Sequence, residues 1–337
     1  MINIGIIGCG YWGPNHIRIF NQLPESTSLM CADLDEKRLQ QLKTLYPTLI
    51  TTKDYQDILK NKDVTAVVIS VPTNLHYSIT KEALLAGKHV LCEKPLALKS
   101  DECEELRKLA AKQKLTLMVG HVFVFNAGIV WMKKFVESGE LGRIHYAYST
   151  RTNLGPFRYD VNALWDLAPH DIAIFNYLFA SKPLSVAGHG QKVLGNSLED
   201  LAFANIQYPN NILVNLHVSW LDPKKVRQIT IVGDKKMLVW DDLDIAGPVK
   251  VYDKHVEKTS TYYATYGEFQ LLSQEGGTTI PKIDMVEPLK AQALYFLDCM
   301  HHGKSPERAD AQRGKDVVDT LCGISESIRN DGRRINL

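Results

Sequence analysis

Short apolar runs rich in β-branched residues alternate with segments of helical periodicity through the first 120 residues. The predicted strands are INIGIIG, SLMCAD, TLITT, AVVISV, HVLC and LTLMVGH, with helical patterns between them. This alternation predicts βαβ units, which place parallel strands side by side in a doubly wound sheet. The unbroken apolar run AVVISV, residues 66–71, is typical of a central strand that helices cover on both faces.

Beyond about residue 140 the pattern changes to longer alternating segments, joined by turn signals such as PNN (209–211) and GDKK (233–236). Such alternation predicts an antiparallel sheet, and helices are predicted near 162–180, 287–302 and 311–329. We therefore expect an α/β domain over residues 1–123 and an α+β domain with a large, open, mostly antiparallel sheet over residues 124–337. An alternative for the C-terminal helices is that they pack back on the first domain.

Composition narrows the classes of partner. The 39 basic and 38 acidic residues nearly cancel and form no run of like charge, so nothing indicates nucleic acid or an anionic membrane, and a small molecule is expected. Six cysteines lack CxxC or Cys/His zinc spacing, which predicts reduced thiols and no metal site. The start MINIGIIGCG has no basic leader and every apolar run is short, so we expect a cytoplasmic protein that does not span a membrane.

The turn after the first strand, GCGYWG, matches the dinucleotide-binding pattern G-x-G-x-x-G at a strand-to-helix junction. In this pattern Gly8 permits the tight turn, Gly10 lets the backbone approach a pyrophosphate, and Gly13 lets helix and strand pack closely. Tyr11 and Trp12 lie within the same turn and are also predicted to contact the cofactor. Asp33 follows 20 positions after Gly13, where a carboxylate accepts hydrogen bonds from the adenosine ribose diol and repels a 2′-phosphate, so NAD is preferred to NADP.

A second polar turn, SVPTNLH at 70–76, leaves the central strand at its carboxyl end, where open α/β sheets bind ligands. The residues predicted to contact the cofactor here are Ser70, Pro72, Thr73 and His76. The alternative is that Thr73 or Asn74 caps the following helix.

The segment VLCEKPLAL, residues 90–98, puts Glu93, Lys94 and Pro95 where a buried strand ends. Lys94 is then placed to hydrogen-bond a substrate hydroxyl, and Glu93 to fix Lys94 or to touch the nicotinamide ribose. Pro95 removes a backbone donor and suits an unusual turn, such as one with a cis bond. The alternative for Lys94 is a solvated surface lysine.

Asp166 and His170 in LWDLAPHDI are four residues apart, so they share one face of a helix. A carboxylate there can orient an imidazole or raise its basicity, and a histidine near its ordinary pKa can take a hydroxyl proton while a hydride leaves. The alternative is a histidine on a helix face that an acidic neighbour such as Asp171 satisfies.

Taken together, GCGYWG, Asp33, SVPTNLH, EKPLA and the Asp166/His170 pair resemble the Gfo/Idh/MocA family of nicotinamide-dependent sugar and polyol oxidoreductases, in order and over nearly the whole chain. The resemblance implies a Rossmann domain followed by an open-sheet domain, with Lys94, Asp166 and His170 in the catalytic places. It also implies a homodimer or homotetramer formed through the C-terminal sheet.

Two longer segments, residues 150–171 and 280–300, look like the branch that oxidises nucleotide-linked amino sugars at C3, such as the UDP-N-acetylglucosamine 3-dehydrogenases. Guanidinium groups suit a pyrophosphate, so a substrate site is predicted from Arg151, Asn153, Arg158 and Asn162 together with Asp166 and His170. Alternatively, Arg151 and Arg158 pair with Asp160 and Asp166 on a loop. Many relatives have a proline after the asparagine of the GHxFxxN segment, where this chain has Asn126-Ala127-Gly128, which leaves that loop undefined.

The sequence hypothesis is NAD-dependent oxidation of the C3 hydroxyl of a UDP-linked N-acetylhexosamine, UDP-GlcNAc or its uronic acid, to a 3-keto sugar. That product would supply a 3-aminotransferase in amino-sugar and lipopolysaccharide synthesis. The alternatives are another activity of the family, acting on inositol, glucose or a 3-ketosugar, and an NAD-sensing binding protein without turnover. A second domain that serves chiefly for assembly is compatible with each of them.

Overall fold

The computed structural model describes residues 1–155, 157–158, 160–195, 198–256 and 273–337. By its internal packing the chain divides into two units. The first comprises Met1–Phe125 and Val286–Asp319, and the second comprises Asn126–Met285 and Thr320–Leu337.

The first unit contains a six-stranded parallel sheet with the order β3-β2-β1-β4-β5-β6. Its strands are β1 (Ile2–Ile7), β2 (Ser26–Ala32), β3 (Ile50–Thr52), β4 (Ala66–Ile69), β5 (His89–Cys92) and β6 (Leu117–Val119). The strand order reverses between β1 and β4, and such a switch point opens a crevice at the carboxyl ends of the strands. All four residues of β4 are buried, as the apolar run predicts.

Helices connect these strands, as expected for βαβ units. They are α1 (Gly13–Gln22), α2 (Glu36–Leu45), α3 (Tyr55–Lys60), α4 (His76–Leu85) and α5 (Ser100–Gln113). Asp35 caps α2 by accepting hydrogen bonds from the backbone of Lys37 and Arg38, and Asp54 caps α3 in the same way. The doubly wound α/β prediction is confirmed.

The second unit contains a nine-stranded sheet with the order β14-β13-β12-β11-β7-β10-β9-β8-β15. Its strands are β7 (Ile144–Leu154), β8 (Ser185–Gln191), β9 (Leu201–Gln207), β10 (Leu213–Ser219), β11 (Leu221–Gly233), β12 (Met237–Asp241), β13 (Val249–Val256), β14 (Ser273–Thr279) and β15 (Ile335–Asn336). Within this sheet, β7 and β10 form the one parallel pair among the described strands, and the other neighbouring strands are antiparallel. The mostly antiparallel sheet predicted from the sequence is confirmed.

The remaining α-helices among the described residues are α6 (Ala127–Glu137), α7 (Ala163–Phe179), α8 (Pro288–His302) and α9 (Ala311–Arg329). Helix α6 was not predicted. The Asn126 side chain starts it by accepting hydrogen bonds from the backbone of Gly128 and Ile129. A Cβ at Gly128 would lie 2.9 Å from Nε1 of Trp240, so a glycine at this position permits the close approach to β12. In the described part of the chain no helix is long and apolar enough to cross a membrane.

Candidate active site

The glycine turn after β1 has the geometry that a dinucleotide requires. Gly8 has φ +93°, and a Cβ there would lie 2.6 Å from the carbonyl oxygen of Ser70. A Cβ on Gly13 would collide with the carbonyl oxygen of Gly8, whereas one on Gly10 would meet no atom within 4 Å. Gly8 and Gly13 therefore permit the turn and its close packing, and Gly10 leaves open space in front of the α1 N-terminus, where a pyrophosphate binds.

Asp33 lies beside this turn. Its carboxylate accepts a hydrogen bond of 2.7 Å from the backbone N–H of Cys9 and one of 2.8 Å from that of Asp35, while Arg38 lies 3.7 Å away. The carboxylate is thus held at the end of β2 next to the glycine turn, which is where an adenosine ribose would need an acceptor. Within the turn, Tyr11 is exposed and Trp12 is the residue that precedes α1.

The turn after β4 packs against the glycine turn. Ser70 donates its hydroxyl to the carbonyl oxygen of Gly8 at 2.8 Å, which links the two turns. Pro72 is exposed, whereas Thr73 is buried. A 3₁₀ helix, Thr73–Leu75, follows and leads into α4, and neither start has a side-chain cap among the described contacts. The helix-cap interpretation of Thr73 and Asn74 is therefore wrong.

His76 differs from its predicted role as a direct cofactor contact. Its ring is 1% exposed, with Nδ1 2.6 Å from the carbonyl oxygen of Pro95 and Nε2 3.0 Å from that of Val71. Both nitrogens are thus engaged by backbone carbonyl groups, so His76 joins two turns at the carboxyl edge of the sheet and leaves no ring atom for the cofactor.

Lys94 follows β5 at the same edge of the sheet and is buried, so it is not the solvated surface lysine of the alternative reading. Its peptide bond to Pro95 is cis. Beside it, Glu93 accepts a hydrogen bond of 2.9 Å from Nε2 of His16, and His121 lies buried at the end of β6. His16 and His121 were not singled out in the sequence, although His16 shares the apolar face of α1 with Ile17 and Phe20, a pattern that indicates burial.

Helix α7 carries the second set of predicted groups. The Asn162 side chain caps this helix by accepting from the backbone of Trp165 and donates to Glu199 at 2.6 Å. Asp166 and His170 follow one turn apart on the helix, and His170 is buried. Asn162, predicted as a substrate ligand, therefore has a structural task at the start of the helix.

The Asp166 carboxylate on α7 accepts hydrogen bonds from the loop before this helix and from the residue after β10. One carboxylate oxygen accepts a hydrogen bond of 3.0 Å from Arg158, and the other accepts one of 3.3 Å from Nε1 of Trp220, which follows β10. Arg158 also pairs with Asp160. Both ion pairs that the alternative interpretation gives to Arg158, with Asp160 and with Asp166, are therefore present. Burial lowers the pKa of Arg158, but the hydrogen bond and charge of Asp160 and the charge of Asp166 outweigh it and raise the pKa, so this group stays a cation.

The structure places Arg151 and Asn153 differently from the prediction. Arg151 points to the buried side of β7, where its guanidinium donates to both carboxylate oxygens of Asp171 at 2.7–3.1 Å. The two side chains are 3% and 2% exposed. Asn153 donates its amide to the carbonyl oxygen of Gly155. Arg151 is thus a structural cation, and its predicted role as a pyrophosphate ligand is not retained.

Among the described residues no group of three or more His, Cys, Asp or Glu side chains has a geometry that could hold a metal ion. What this chain offers to a cofactor is the glycine turn, the open space at Gly10 and the Asp33 carboxylate. These residues fit a dinucleotide.

Comparison with known proteins defines the class. Residues 2–121 match the family described as oxidoreductase family, NAD-binding Rossmann fold, and residues 129–239 match the Gfo/Idh/MocA C-terminal domain. The chain belongs to the Gfo/Idh/MocA oxidoreductase family, and its first unit is the NAD-binding Rossmann domain.

Individual relatives are distant. The oxidoreductase YrbE of Bacillus subtilis (strain 168) is 29% identical over 58% of this chain and 59% of its own length. Inositol 2-dehydrogenase 2 of Saccharopolyspora erythraea is 28% identical over 64% of this chain and 66% of its own length. The matched segment therefore spans less than two thirds of each of these two relatives.

Among solved structures, UDP-N-acetylglucosamine 3-dehydrogenase GnnA from Acidithiobacillus ferrooxidans has the same fold. Its TM-score is 0.81 with 20% identity, and 98% of each chain is covered. At this identity the likeness describes the fold.

Proposed function

We propose that this protein oxidises the C3 hydroxyl of a UDP-linked N-acetylhexosamine to a 3-keto sugar with NAD. The observation that carries the proposal is the Arg158–Asp166 ion pair of 3.0 Å, in which the Arg158 side chain remains 32% exposed. A cation thus lies next to the carboxylate that shares α7 with His170, and a phosphate that replaced Asp160 on the guanidinium would be bound by two nitrogens. The resemblance of residues 150–171 and 280–300 to the sugar-nucleotide branch supports the same substrate class.

In this proposal His170 takes the proton of the C3 hydroxyl, and Asp166 positions His170 or the sugar. Lys94 donates a hydrogen bond to the same oxygen and stabilises the negative charge that develops on it. NAD, when bound, accepts the hydride from C3. The hydroxyl proton leaves O3 and the hydride leaves C3, so positioning of this one group against both His170 and the nicotinamide supplies much of the rate.

Binding measurements test the role of Arg158 separately from turnover. Calorimetric titration of UDP-GlcNAc into the NADH complex should show affinity about tenfold weaker or worse for Arg158→Ala, because a charge-assisted contact is worth about 1.5–3 kcal/mol. Arg158→Lys should retain part of the affinity, and Arg333→Ala, which removes an exposed arginine elsewhere, should bind as the wild type does. Equal affinity for wild type and Arg158→Ala would contradict the proposal.

A second candidate is oxidation of a free polyol such as inositol. One observation favours it: the pairing of Arg151 with Asp171 leaves Arg158 as the one predicted arginine that is still partly exposed. A free polyol has no pyrophosphate, so its binding would not depend on Arg158. A third candidate, an NAD-binding protein without turnover, predicts NADH binding with no reaction on any sugar.

We also propose that the protein assembles as a homodimer or homotetramer through the second unit's sheet. Large side chains stand exposed on three adjacent strands: Tyr146, Tyr148, Phe203 and Leu213, each 42–47% exposed. Such a patch on a sheet indicates an interaction surface. Light scattering should show a smaller species for Tyr148→Glu/Phe203→Glu, whereas Leu45→Glu, at an exposed site of α2, should leave the mass unchanged. An unchanged mass in the double variant would contradict this.

A further inference from the structure

His16 lies on α1, three residues after Gly13, and is 1% exposed. Its Nε2 is 2.9 Å from Oε1 of Glu93, although the two residues are 77 positions apart in the chain. The contact joins the helix of the glycine turn to the residue that precedes Lys94.

The Glu93 carboxylate is closely surrounded. Its Oε2 accepts from the backbone N–H of Lys94 at 3.3 Å, and a Cβ on Gly120 would lie 2.9 Å from the same oxygen. The carboxylate therefore lies between His16 on one side and the backbone of Lys94 and Gly120 on the other.

Glu93 is ionised in this setting. Burial raises the pKa of Glu93, but the hydrogen bond and charge of His16, followed by the charge and backbone N–H of Lys94, outweigh it and lower the pKa. An ionised carboxylate only accepts hydrogen bonds, so Nε2 of His16 carries the proton and donates it.

His121 is the other titratable group that faces this cluster, from the end of β6. Burial lowers the pKa of His121 to about 4, with a smaller opposing effect of Glu93 and a reinforcing one of Lys94. His121 is therefore neutral near pH 7, and the titratable groups described around Glu93 are His16, Lys94 and a neutral imidazole.

We propose that His16 is a positioning residue for Lys94 that acts through Glu93: its Nε2–H holds the Glu93 carboxylate as an anion against the backbone N–H of Lys94. Without this donor, a buried carboxylate becomes protonated, and the lysine loses the negative charge that stabilises its protonated form. The inference deepens the proposed function, since it rests on the role given there to Lys94 as a hydrogen-bond donor to the reacting oxygen.

The test measures the reactivity of Lys94 directly and needs no substrate. Trace acetylation with acetic anhydride between pH 6 and 11, followed by mass spectrometry, reports the fraction of each lysine that is a neutral amine, with exposed Lys99 as the internal standard. The variants are His16→Phe, which has a ring and no donor, His16→Gln, which places an N–H near the Nε2 position, and Glu93→Gln, which keeps the shape and removes the charge.

The expected result is acetylation of Lys94 relative to Lys99 that is about tenfold faster at pH 8 in His16→Phe, since one pKa unit changes the neutral fraction tenfold. Glu93→Gln should show the same rise, and His16→Gln should restore most of the wild-type rate. The proposal would be overturned if Lys94 were acetylated at the wild-type rate in both His16→Phe and Glu93→Gln while their melting temperature and NADH binding stayed unchanged. If His16→Phe does not fold, the Glu93→Gln and His16→Gln pair decides by the same comparison.

Failure of this inference and failure of the proposed function are distinguishable. If no sugar is oxidised but Lys94 acetylation responds as expected, the proposed substrate is wrong and the His16–Glu93–Lys94 coupling stands. If UDP-sugar oxidation is observed but its alkaline pH limb is the same in wild type and His16→Phe, the coupling is wrong and the proposed function stands.

Discussion

His76 donates a hydrogen bond of 2.6 Å from its ring Nδ1 to the carbonyl oxygen of Pro95. Its Nε2 donates to the carbonyl oxygen of Val71 at 3.0 Å, so both nitrogens carry protons and the buried ring is an imidazolium. Burial alone would lower the pKa of His76, but the interaction with Cys92, followed by the hydrogen bonds to the two carbonyl groups, outweighs it and raises the pKa to about 9. The buried His76 imidazolium thus hydrogen-bonds to both the turn after β4 and the turn that contains Lys94.

This imidazolium predicts a pH-dependent stability. Because the folded-state pKa of about 9 exceeds the ordinary 6.5, the contribution of His76 is fully present below about pH 6.5 and is lost as pH rises through 9. His76→Leu should therefore lower the thermal midpoint most at pH 6, by the equivalent of roughly 3 kcal/mol, and much less at pH 9.5. His145→Leu, at an exposed site, is the control. An equal loss at both pH values would contradict the imidazolium.

The buried pair Arg151–Asp171 is predicted to stabilise the second unit. Arg151→Met leaves the Asp171 carboxylate buried without its partner and should cost about 3–5 kcal/mol in urea unfolding. Arg151→Met/Asp171→Leu should cost less than the sum of the single changes. Arg227→Met, which breaks the more exposed pair with Asp242, is the matched control and should cost about 1 kcal/mol or less. A cost for Arg151→Met as small as the control's would indicate that Arg151 is available for another role.

Trp220 is predicted to position Asp166. Trp220→Phe removes the indole N–H that lies 3.3 Å from the carboxylate and keeps most of the buried ring. If Asp166 assists His170, kcat should fall about tenfold with the KM for NAD unchanged, because a hydrogen bond to a charged group is worth about 1.5–3 kcal/mol. The control is Trp131→Phe on α6, whose ring stacks on Phe135. Wild-type kcat in Trp220→Phe would show that this contact does not serve catalysis.

Asp33 is predicted to select NAD over NADP. Asp33→Ala should weaken NADH binding about 10- to 100-fold, since the ribose hydroxyls lose a charged acceptor. NADPH should bind better than to wild type, because the repelling carboxylate is gone and Arg38 is nearby. Asp35→Ser removes a neighbouring charge but keeps a cap for α2, and should retain the wild-type preference in fluorescence titrations. An unchanged preference in Asp33→Ala would contradict the assignment.

The sequence predicted those parts of the site that depend on local backbone or helical spacing. The roles of Gly8 and Gly13 follow from how little space a strand-to-helix turn leaves, and the structure shows collisions for a Cβ at both positions. Asp166 and His170 follow one another by a single turn of α7, which spacing alone predicts. The collision at Gly13 is with Gly8 in the same turn and the Asp166–His170 spacing is helical, so neither needs knowledge of which strands become neighbours, whereas the collision at Gly8 is with Ser70 after β4.

Contacts between distant segments were not predicted. The His16–Glu93 hydrogen bond exists because β1 and β5 flank β4 in one sheet, an arrangement that no local pattern contains. Arg151 illustrates a signal that was present but not used. It alternates with exposed Tyr146 and Tyr148 on β7 and falls on the buried side with Ala147 and Ser149, where a charge needs a partner such as Asp171.

The most direct test of the central claim is the absorbance of NADH after mixing the protein and NAD with UDP-GlcNAc, its uronic acid, UDP-GalNAc or free inositol. An equilibrium-limited rise is expected with one UDP-sugar; a 3-aminotransferase should drive it further and Lys94→Ala/His170→Ala should abolish it. A rise with inositol and with none of the UDP-sugars would contradict the sugar-nucleotide claim. No rise with any substrate, in a protein that still binds NADH, would contradict the proposed oxidation itself.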